Sequence, residues 1–310
     1  MTEIKKIAVI GGGMMGSGIA QVFAYCEDFS INIYDSFIPG KDILDRIKVN
    51  LDLLKSKGIY TDSETTEILS RISTCDQMDK AVAKADFVVE CIPEDMNLKQ
   101  KLFADLESLC KPETIFATNT SVMSITGIAS LTIDKSRVVG THFWNPPYLI
   151  PLVEVVKGNE TSIETMETTM AVLKKAGKHP IWVNKDVPGF VANRLQHALW
   201  REAISIVEND IADAATVDEA VKLSFGLRLP ILGPMENADM VGTDLTLSIH
   251  NYILKHLESS SEASPLLRTK VDTGELGFKS GKGFQEWTPE QIANSRKQLT
   301  EYLIKVIYNK

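Results

Sequence analysis

The chain has 310 residues, 44% of them apolar and 24% charged, with a formal net charge of −8. That length suggests two domains, and the apolar share is enough for a large core. The acidic balance, with no run of five or more like charges, excludes nucleic acid and an anionic lipid surface as expected partners, and no apolar run approaches the roughly eighteen residues of a membrane span.

The first element is the most telling. Ile7–Ile10 reads as a short apolar strand that runs directly into Gly11-Gly12-Gly13-Met14-Met15-Gly16, a G-x-G-x-x-G pattern opening a helix. Gly11 permits the tight turn, Gly13 lets a pyrophosphate approach the backbone, and Gly16 lets the helix pack closely on the strand. The first helical turn, with Met14 and Met15, then aims free N–H groups and a partial positive charge at the phosphates. A second strand, Ser30–Asp35, ends in an acid nineteen residues after Gly16, where a carboxylate should bond the adenosine ribose. Asp35 would repel a 2′-phosphate, so the expected cofactor is NAD rather than NADP. The competing reading is a strand–turn–helix whose glycines serve packing alone.

Helices are expected over Lys41–Lys57 and Ser63–Arg71, then a buried parallel strand over Ala85–Ile92. A helix over Asn97–Leu109 leads to strands at Thr114–Thr118, Arg137–Phe143 and Leu152–Val156. A helix over Ile163–Lys174 and a strand at Pro180–Val183 complete the β–α alternation of a doubly wound, mainly parallel α/β sheet. Beyond Pro188-Gly189 only helical periodicity remains: Phe190–Asn209, Thr216–Leu223, Glu236–Leu257 and Pro289–Ile307. The reading is therefore a nucleotide-binding Rossmann domain over residues 1–186 and an all-helical domain over 187–310, whose helices serve either an intrachain core or a dimer interface. The cysteines (Cys26, Cys75, Cys91, Cys110) form no C-x-x-C pair and are expected as reduced, mostly buried thiols of a cytoplasmic protein. The residues before Ile7 leave no room for a targeting peptide.

Ligands of such sheets gather at the carboxyl ends of the strands. The polar residues expected there are Glu90–Glu94, Asn119-Thr120-Ser121, His142 with Asn145, and Asn193-Arg194 on the first helix of the second domain. His142 closes a strand, and an imidazole is the natural proton carrier near neutral pH. If the loop after it folds back, Glu154 on the next strand can orient the ring and stabilise its charged form. The bland alternative is a strand-end histidine satisfied by backbone. Asn119-Thr120-Ser121 can meet a ligand or form an Asx turn with a helix cap, and Asn193 can be an ordinary helix-surface residue. No G-x-S-x-G, no cysteine–histidine pair and no H-E-x-x-H appears, so neither acyl transfer nor a metal is expected.

These motifs, in this order, resemble the 3-hydroxyacyl-CoA dehydrogenase family from end to end. The resemblance rests on Gly11–Ala20, Asn119–Ser121, Thr141–Pro146, Leu152–Val156, Pro188–Arg194, Gly233–Gly242 and Lys279–Phe284. It implies a Rossmann domain, a helical domain that forms a homodimer, and a small-molecule substrate. It places a catalytic histidine–glutamate pair on His142 and Glu154, substrate contacts on Ser121, Asn145 and Asn193, and a nicotinamide-side acid on Glu94. In the implied reaction His142 takes the proton of a secondary alcohol as hydride passes to the nicotinamide, and Ser121 and Asn193 hold the oxygens. Thioester members usually carry a lysine where this chain has Pro151. The stretch Asn145–Pro151 is more similar to branches acting on free acids, such as gulonate 3-dehydrogenase, carnitine dehydrogenase and a dehydrogenase of pyridoxine breakdown. Arg228 would suit a free carboxylate, or is a surface arginine; Lys48, Lys55 and Lys57 would suit the phosphates of CoA, or form a solvated face. Two other readings are weaker. A non-catalytic nucleotide-binding protein does not need the His142–Glu154 pair. The related 6-phosphogluconate and 3-hydroxyisobutyrate type needs a lysine where Asn193 stands.

Overall fold

The computed structural model describes residues 3–309. Eight strands form one sheet in the order β3-β2-β1-β4-β5-β6-β7-β8. They are β1 (Lys6–Ile10), β2 (Ser30–Tyr34), β3 (Ile72–Cys75), β4 (Phe87–Glu90), β5 (Ile115–Thr118), β6 (Val138–Phe143), β7 (Leu152–Val156) and β8 (His179–Val183). Neighbours run parallel except β6 and β7, which are antiparallel. The sheet grows from β1 to β2 and β3 on one side, then restarts at β4 on the other. That reversal opens a crevice at the carboxyl ends of β1 and β4.

Helices α1 (Met14–Ala24), α2 (Gly40–Ser56), α3 (Asp62–Ser70), α4 (Met78–Val82), α5 (Met96–Leu109), α6 (Ile125–Ile128) and α7 (Ile163–Lys175) connect the strands. The sheet separates two apolar cores. One gathers α1, α2 and α7 around Phe23, Ile33, Ile47, Phe143 and Leu173; the other gathers α4, α5 and α6 around Val88, Phe103, Phe116 and Val138. Phe23 is fully buried, with its ring edge-on to Phe29, Phe87 and Phe143 at 6.1, 6.3 and 6.2 Å. It is the point where the glycine-bearing helix is fixed to β4 and β6.

By its contacts the chain divides into two compact units. The first runs to Arg194 and takes back the residues from Thr300 onward; the second is Leu195–Leu299. Helix α8 (Ala192–Glu208) starts in the first and continues into the second, which then holds α9 (Ala214–Lys222), α10 (Pro234–Val241), α11 (Thr243–Ile253), α12 (Pro265–Asp272) and most of α13 (Pro289–Tyr308). Within the second unit, Glu202 and Glu208 of α8 accept N–H bonds from Glu258 and Leu266, at 2.7 and 2.9 Å.

Several elements differ from the sequence reading. The long helix expected over Glu236–Leu257 is broken at Gly242, whose φ of +102° ends α10 and starts α11. Strand β3 lies at the sheet edge and buries only Ile72 fully, so it carries too little apolar signal to be read. The short α4 and α6, and α12, are unannounced for want of length. Strand β4 ends at Glu90, which leaves Cys91 just past it. All four cysteines are free and half-buried. The last turns of α13 belong with the sheet, not with the helical unit as the boundary at residue 187 would have it. Among the described residues no helix is long and apolar enough to cross a membrane.

Phe23→Ala should cost about 3–5 kcal/mol of stability, the usual range for truncating a buried aromatic ring. Denaturant titration measures this, and a loss below about 1 kcal/mol would show that the aromatic cluster does not hold α1 in place.

Candidate active site

The turn after β1 is built as its glycines demand. Gly11 has a φ of +102°, and a Cβ there would stand 2.6 Å from the Cys91 carbonyl oxygen. A Cβ on Gly16 would stand 1.8 Å from the Gly11 carbonyl oxygen, so no side chain fits at either position. Gly13 is different. Nothing lies within 4 Å of where its Cβ would point, which leaves open space above the backbone. Gly13 also caps α1 without a side chain, and the first turn carries no acid. Among the described residues its leading N–H groups therefore have no acceptor, and they face an uncrowded cradle, the two conditions a pyrophosphate requires. Met14 is exposed at this end while Met15 packs against the core.

Asp35 follows β2. One carboxylate oxygen accepts the Gly12 N–H at 2.6 Å, and the other accepts those of Phe37 and Ile38 at 2.7 and 2.8 Å. Burial works against ionisation, but the three N–H donors outweigh it and hold the carboxyl below its ordinary value. A carboxylate has about four acceptor sites, so one stays open for a ribose hydroxyl. The donor set, the cradle and this acid fit an adenine dinucleotide.

A second cluster joins the ends of β4 and β5. The Thr120 hydroxyl donates to both oxygens of Glu94, at 3.0 and 2.9 Å, and the Ser121 N–H donates to Glu94 at 2.7 Å. Asn119 Oδ1 accepts the Phe143 N–H at 2.9 Å, so β5's loop is tied to the end of β6. Beneath them lies a buried pair, of which the sequence reading named Glu90 and not Lys99. Lys99 of α5 and Glu90 of β4 are almost wholly buried, with Nζ 2.5 Å from the carboxylate. Glu90 also accepts the Thr118 hydroxyl and the Ile92 N–H. Burial raises its carboxyl above the ordinary value, and these three donors offset only part of that rise. A lysine in an amphipathic helix normally reads as surface, so only burial identifies it.

The third cluster is the antiparallel pair. His142 on β6 and Glu154 on β7 are direct cross-strand partners. Their side chains meet with Nδ1 2.7 Å from Oε2, and the carboxylate is fully buried. The other oxygen, Oε1, accepts the N–H groups of Val191 and Ala192 at 2.9 and 3.0 Å, at the start of α8. Desolvation opposes the charge of Glu154, but the imidazole and the two N–H donors prevail and hold its carboxyl below the usual value. An ionised Glu154 can only accept, so the proton of this contact sits on Nδ1 of the ring. Trp144 and Phe190 flank the ring at 5.3 and 5.8 Å between centroids.

Asn193, in the first turn of α8, donates through Nδ2 to the Ser121 carbonyl at 3.1 Å. The second and third clusters are thereby joined. Asn145 is exposed just beyond Trp144, before a cis bond to Pro146. Arg228 belongs to the second unit, exposed after a 3-10 turn. Of the α2 lysines, Lys55 is bonded to Asp52 and Asp62 and Lys57 to Glu301.

The sheet order, the glycine cradle and the acid after β2 define a dinucleotide-binding α/β protein. The profile of the "3-hydroxyacyl-CoA dehydrogenase, NAD binding domain" matches residues 6–187, and that of the "3-hydroxyacyl-CoA dehydrogenase, C-terminal domain" matches residues 189–287. A probable 3-hydroxybutyryl-CoA dehydrogenase of Bacillus subtilis (strain 168) is 41% identical over 92% of this chain and 98% of its own. The crystal structure of an (S)-3-hydroxybutyryl-CoA dehydrogenase from Ralstonia eutropha superposes with a TM-score of 0.78 at 32% identity, over 92% of this chain and 100% of its own. That of 5-formyl-3-hydroxy-2-methylpyridine 4-carboxylic acid 5-dehydrogenase, an NAD+-dependent dismutase, reaches 0.89 at 32% identity, over 98% and 97%. The chain belongs to the 3-hydroxyacyl-CoA dehydrogenase family, a family of NAD-dependent oxidoreductases.

Asp35→Ala should weaken NADH by tenfold or more, as the loss of a charged hydrogen bond worth about 1.5–3 kcal/mol implies. NADPH should be hurt less, and an unchanged NADH:NADPH preference in a fluorescence titration would remove Asp35 from ribose binding. Glu154→Gln tests the buried pair by pH. Because its folded pKa lies below the unfolded value of about 4.3, the carboxylate's contribution is complete above that value and is lost as pH falls through the folded one. The stability gap between variant and parent should be wide at pH 7 and shrink in acid; a gap independent of pH would count against an ionised Glu154.

Proposed function

We propose that the chain catalyses the NAD-dependent oxidation of a secondary alcohol at the 3-position of a 3-hydroxyacyl-CoA, and the reverse reduction. The observation that carries this reading is the His142–Glu154 contact, which leaves Nε2 as the one ring nitrogen able to take or give a proton. Gly11, Gly13, Gly16 and the first turn at Met14 and Met15 would hold the pyrophosphate, Asp35 the ribose, and Glu94 and Asn119 the nicotinamide end. Bound there, NAD supplies the acceptor or donor of hydride.

In the oxidative direction His142 Nε2 accepts the hydroxyl proton, and Glu154 offsets the charge that forms on the ring. In reduction the same nitrogen returns the proton. Ser121 and Asn193, already linked through the Ser121 carbonyl, hold the reacting and neighbouring oxygens, with Asn145 at the exposed edge. Trp144 and Phe190 exclude water from the side of the ring, which strengthens its bond to Glu154.

A second reading, a free hydroxy acid in place of the thioester, is favoured by one observation. The pyridine-carboxylate dehydrogenase superposes on 98% of this chain with a TM-score of 0.89, against 0.78 for the 3-hydroxybutyryl-CoA dehydrogenase from Ralstonia eutropha.

The active form we infer is a homodimer. Among the described residues of Leu195–Leu299 no apolar side chain is fully buried, and Met235, Met240, Leu245, Leu247 and Tyr252 of α10 and α11 are all more than half or about half exposed. So much apolar surface on a helical unit is covered by a second copy.

His142→Gln should lower kcat by about 10²–10⁴-fold, the usual contribution of a positioned acid–base group, with NADH affinity unchanged. Stopped-flow turnover beside an NADH titration measures both, and near-normal kcat would exclude His142 from the chemistry. In light scattering the protein should weigh about twice its 34.3 kDa; a monomer at micromolar concentration would refute the dimer.

A further inference from the structure

The loop from Asn145 to Pro151 joins the strand of His142 to the strand of Glu154. It starts beside the imidazole, since Trp144, just before it, stands 5.3 Å from the His142 ring between centroids. Its middle is one tight turn, closed by the N–H groups of Leu149 and Ile150, which both donate to the Pro146 carbonyl at 3.0 Å. Three neighbours grip this turn, all within the first compact unit. The Pro147 ring packs on Gly18 of α1, where a Cβ would stand only 2.7 Å from Pro147 Cγ. Leu149 is 1% exposed, in a small core with Leu54 of α2 and Ile304 of α13. These two grips are apolar and have no direction. The third is polar and directional: Lys178 Nζ donates to the Pro147 carbonyl, and to that of Ile150 at 2.9 Å.

The backbone fixes where Lys178 stands. Helix α7 ends at Gly177, whose φ is +76°. The Gly177 N–H returns to the Lys174 carbonyl and the Lys178 N–H to that of Leu173, both at 3.0 Å, which closes the helix end. The next residue, His179, donates its N–H to the Pro151 carbonyl at 2.9 Å, so β8 starts against the end of the loop. A lysine at a helix end normally leaves its amine in water. Lys178 is half-buried instead, and burial pulls its amine down to about 8, with no carboxylate among the described residues to offset it. An ammonium in such a place is unfavourable unless its hydrogen bonds are good ones, and both of these go to a single turn.

We infer that Lys178 is a positioning residue for the substrate, whose two hydrogen bonds set the Asn145–Pro151 turn and thereby hold Asn145 at the edge of the site. The inference rests on the dehydrogenase reading above, in which Asn145 meets the substrate. The other parts of the site are held by other means. His142 and Glu154 are fixed by the ladder between β6 and β7 and by the start of α8. The cradle after β1 is fixed by its glycines and by Asp35. Loss of the lysine therefore loosens the grip on substrate and spares both the proton carrier and the dinucleotide.

The test compares the full chain with Lys178→Met, which keeps the apolar stem without charge or donors, and Lys178→Arg, which keeps both. NADH oxidation is followed with acetoacetyl-CoA and with a panel of free 3-oxo acids, beside an NADH titration and hydrogen exchange of peptides covering the loop. Lys178→Met should raise the KM of the parent's best substrate by about tenfold, with kcat and NADH affinity within about threefold of the parent. Exchange in the loop should quicken while that of β1 and α1 stays as it was. Lys178→Arg should recover most of the KM and of the slow exchange. Should Lys178→Met not fold, Lys178→Gln, which leaves one amide donor, should show the same split at smaller size. An unmoved KM overturns the proposal. So does a joint loss of kcat, KM and NADH affinity that arginine fails to recover, the mark of a damaged fold. A parent that turns over neither substrate form overturns the dehydrogenase reading and this role with it, whereas an active parent beside an unaffected Lys178→Met overturns this role alone.

Discussion

The carboxylate of Glu154 is the constraint on which the site depends. It is fully buried on β7, yet it stays charged because an imidazole and two backbone N–H groups surround it. Burying a carboxylate is costly unless such donors are present, and here they come from β6 and from the start of α8. Through one side chain β6, β7 and the start of α8 are fixed relative to one another. The same contacts that offset desolvation also fix the orientation of the His142 ring.

The rest of the site is arranged in a chain from that point. The start of α8 brings Asn193 to the Ser121 carbonyl, and the Ser121 N–H is held by Glu94. Glu94 sits 3.4 Å from Lys99, which is held in turn by Glu90 under the sheet. Asn119 ties the same loop back to the end of β6. Each polar group is satisfied by the next, so the carboxyl ends of β4, β5 and β6 form one polar layer. Unsatisfied groups are expensive at this depth, and near this layer Thr141 Oγ1 and Trp144 Nε1 are buried without a hydrogen-bond partner among the described residues.

The two ends of α2 are held by different parts of the chain. Ile43, Ile47 and Leu51 secure it to the core shared by every Rossmann sheet. Its far end, Leu53 to Lys57, is instead covered by residues from the end of the chain. There a buried isoleucine, a tyrosine pair and an ion pair hold the last turns of α13 against α2 and the loop between β6 and β7.

The sequence by itself determined the elements whose signal is local. Three glycines at fixed spacing after an apolar strand, with an acid at the end of the next, can satisfy their backbone in few other ways, and Asp35 lies where that pattern puts it. The β–α alternation likewise left little choice but a doubly wound sheet. Tertiary structure decided what depends on partners distant in the chain. The antiparallel turn of β7 against β6 made His142 and Glu154 neighbours, a matter of register that spacing could only allow. Burial turned Lys99 from an ordinary helix lysine into the counter-ion of Glu90. Gly242 split a periodic stretch into two helices because its positive φ is a property of the packed chain, not of the hydrophobic pattern. The return of Thr300–Tyr308 to the first unit was unreadable for the same reason: amphipathic periodicity fixes which face of a helix is apolar, and only the folded chain supplies the surface that face meets.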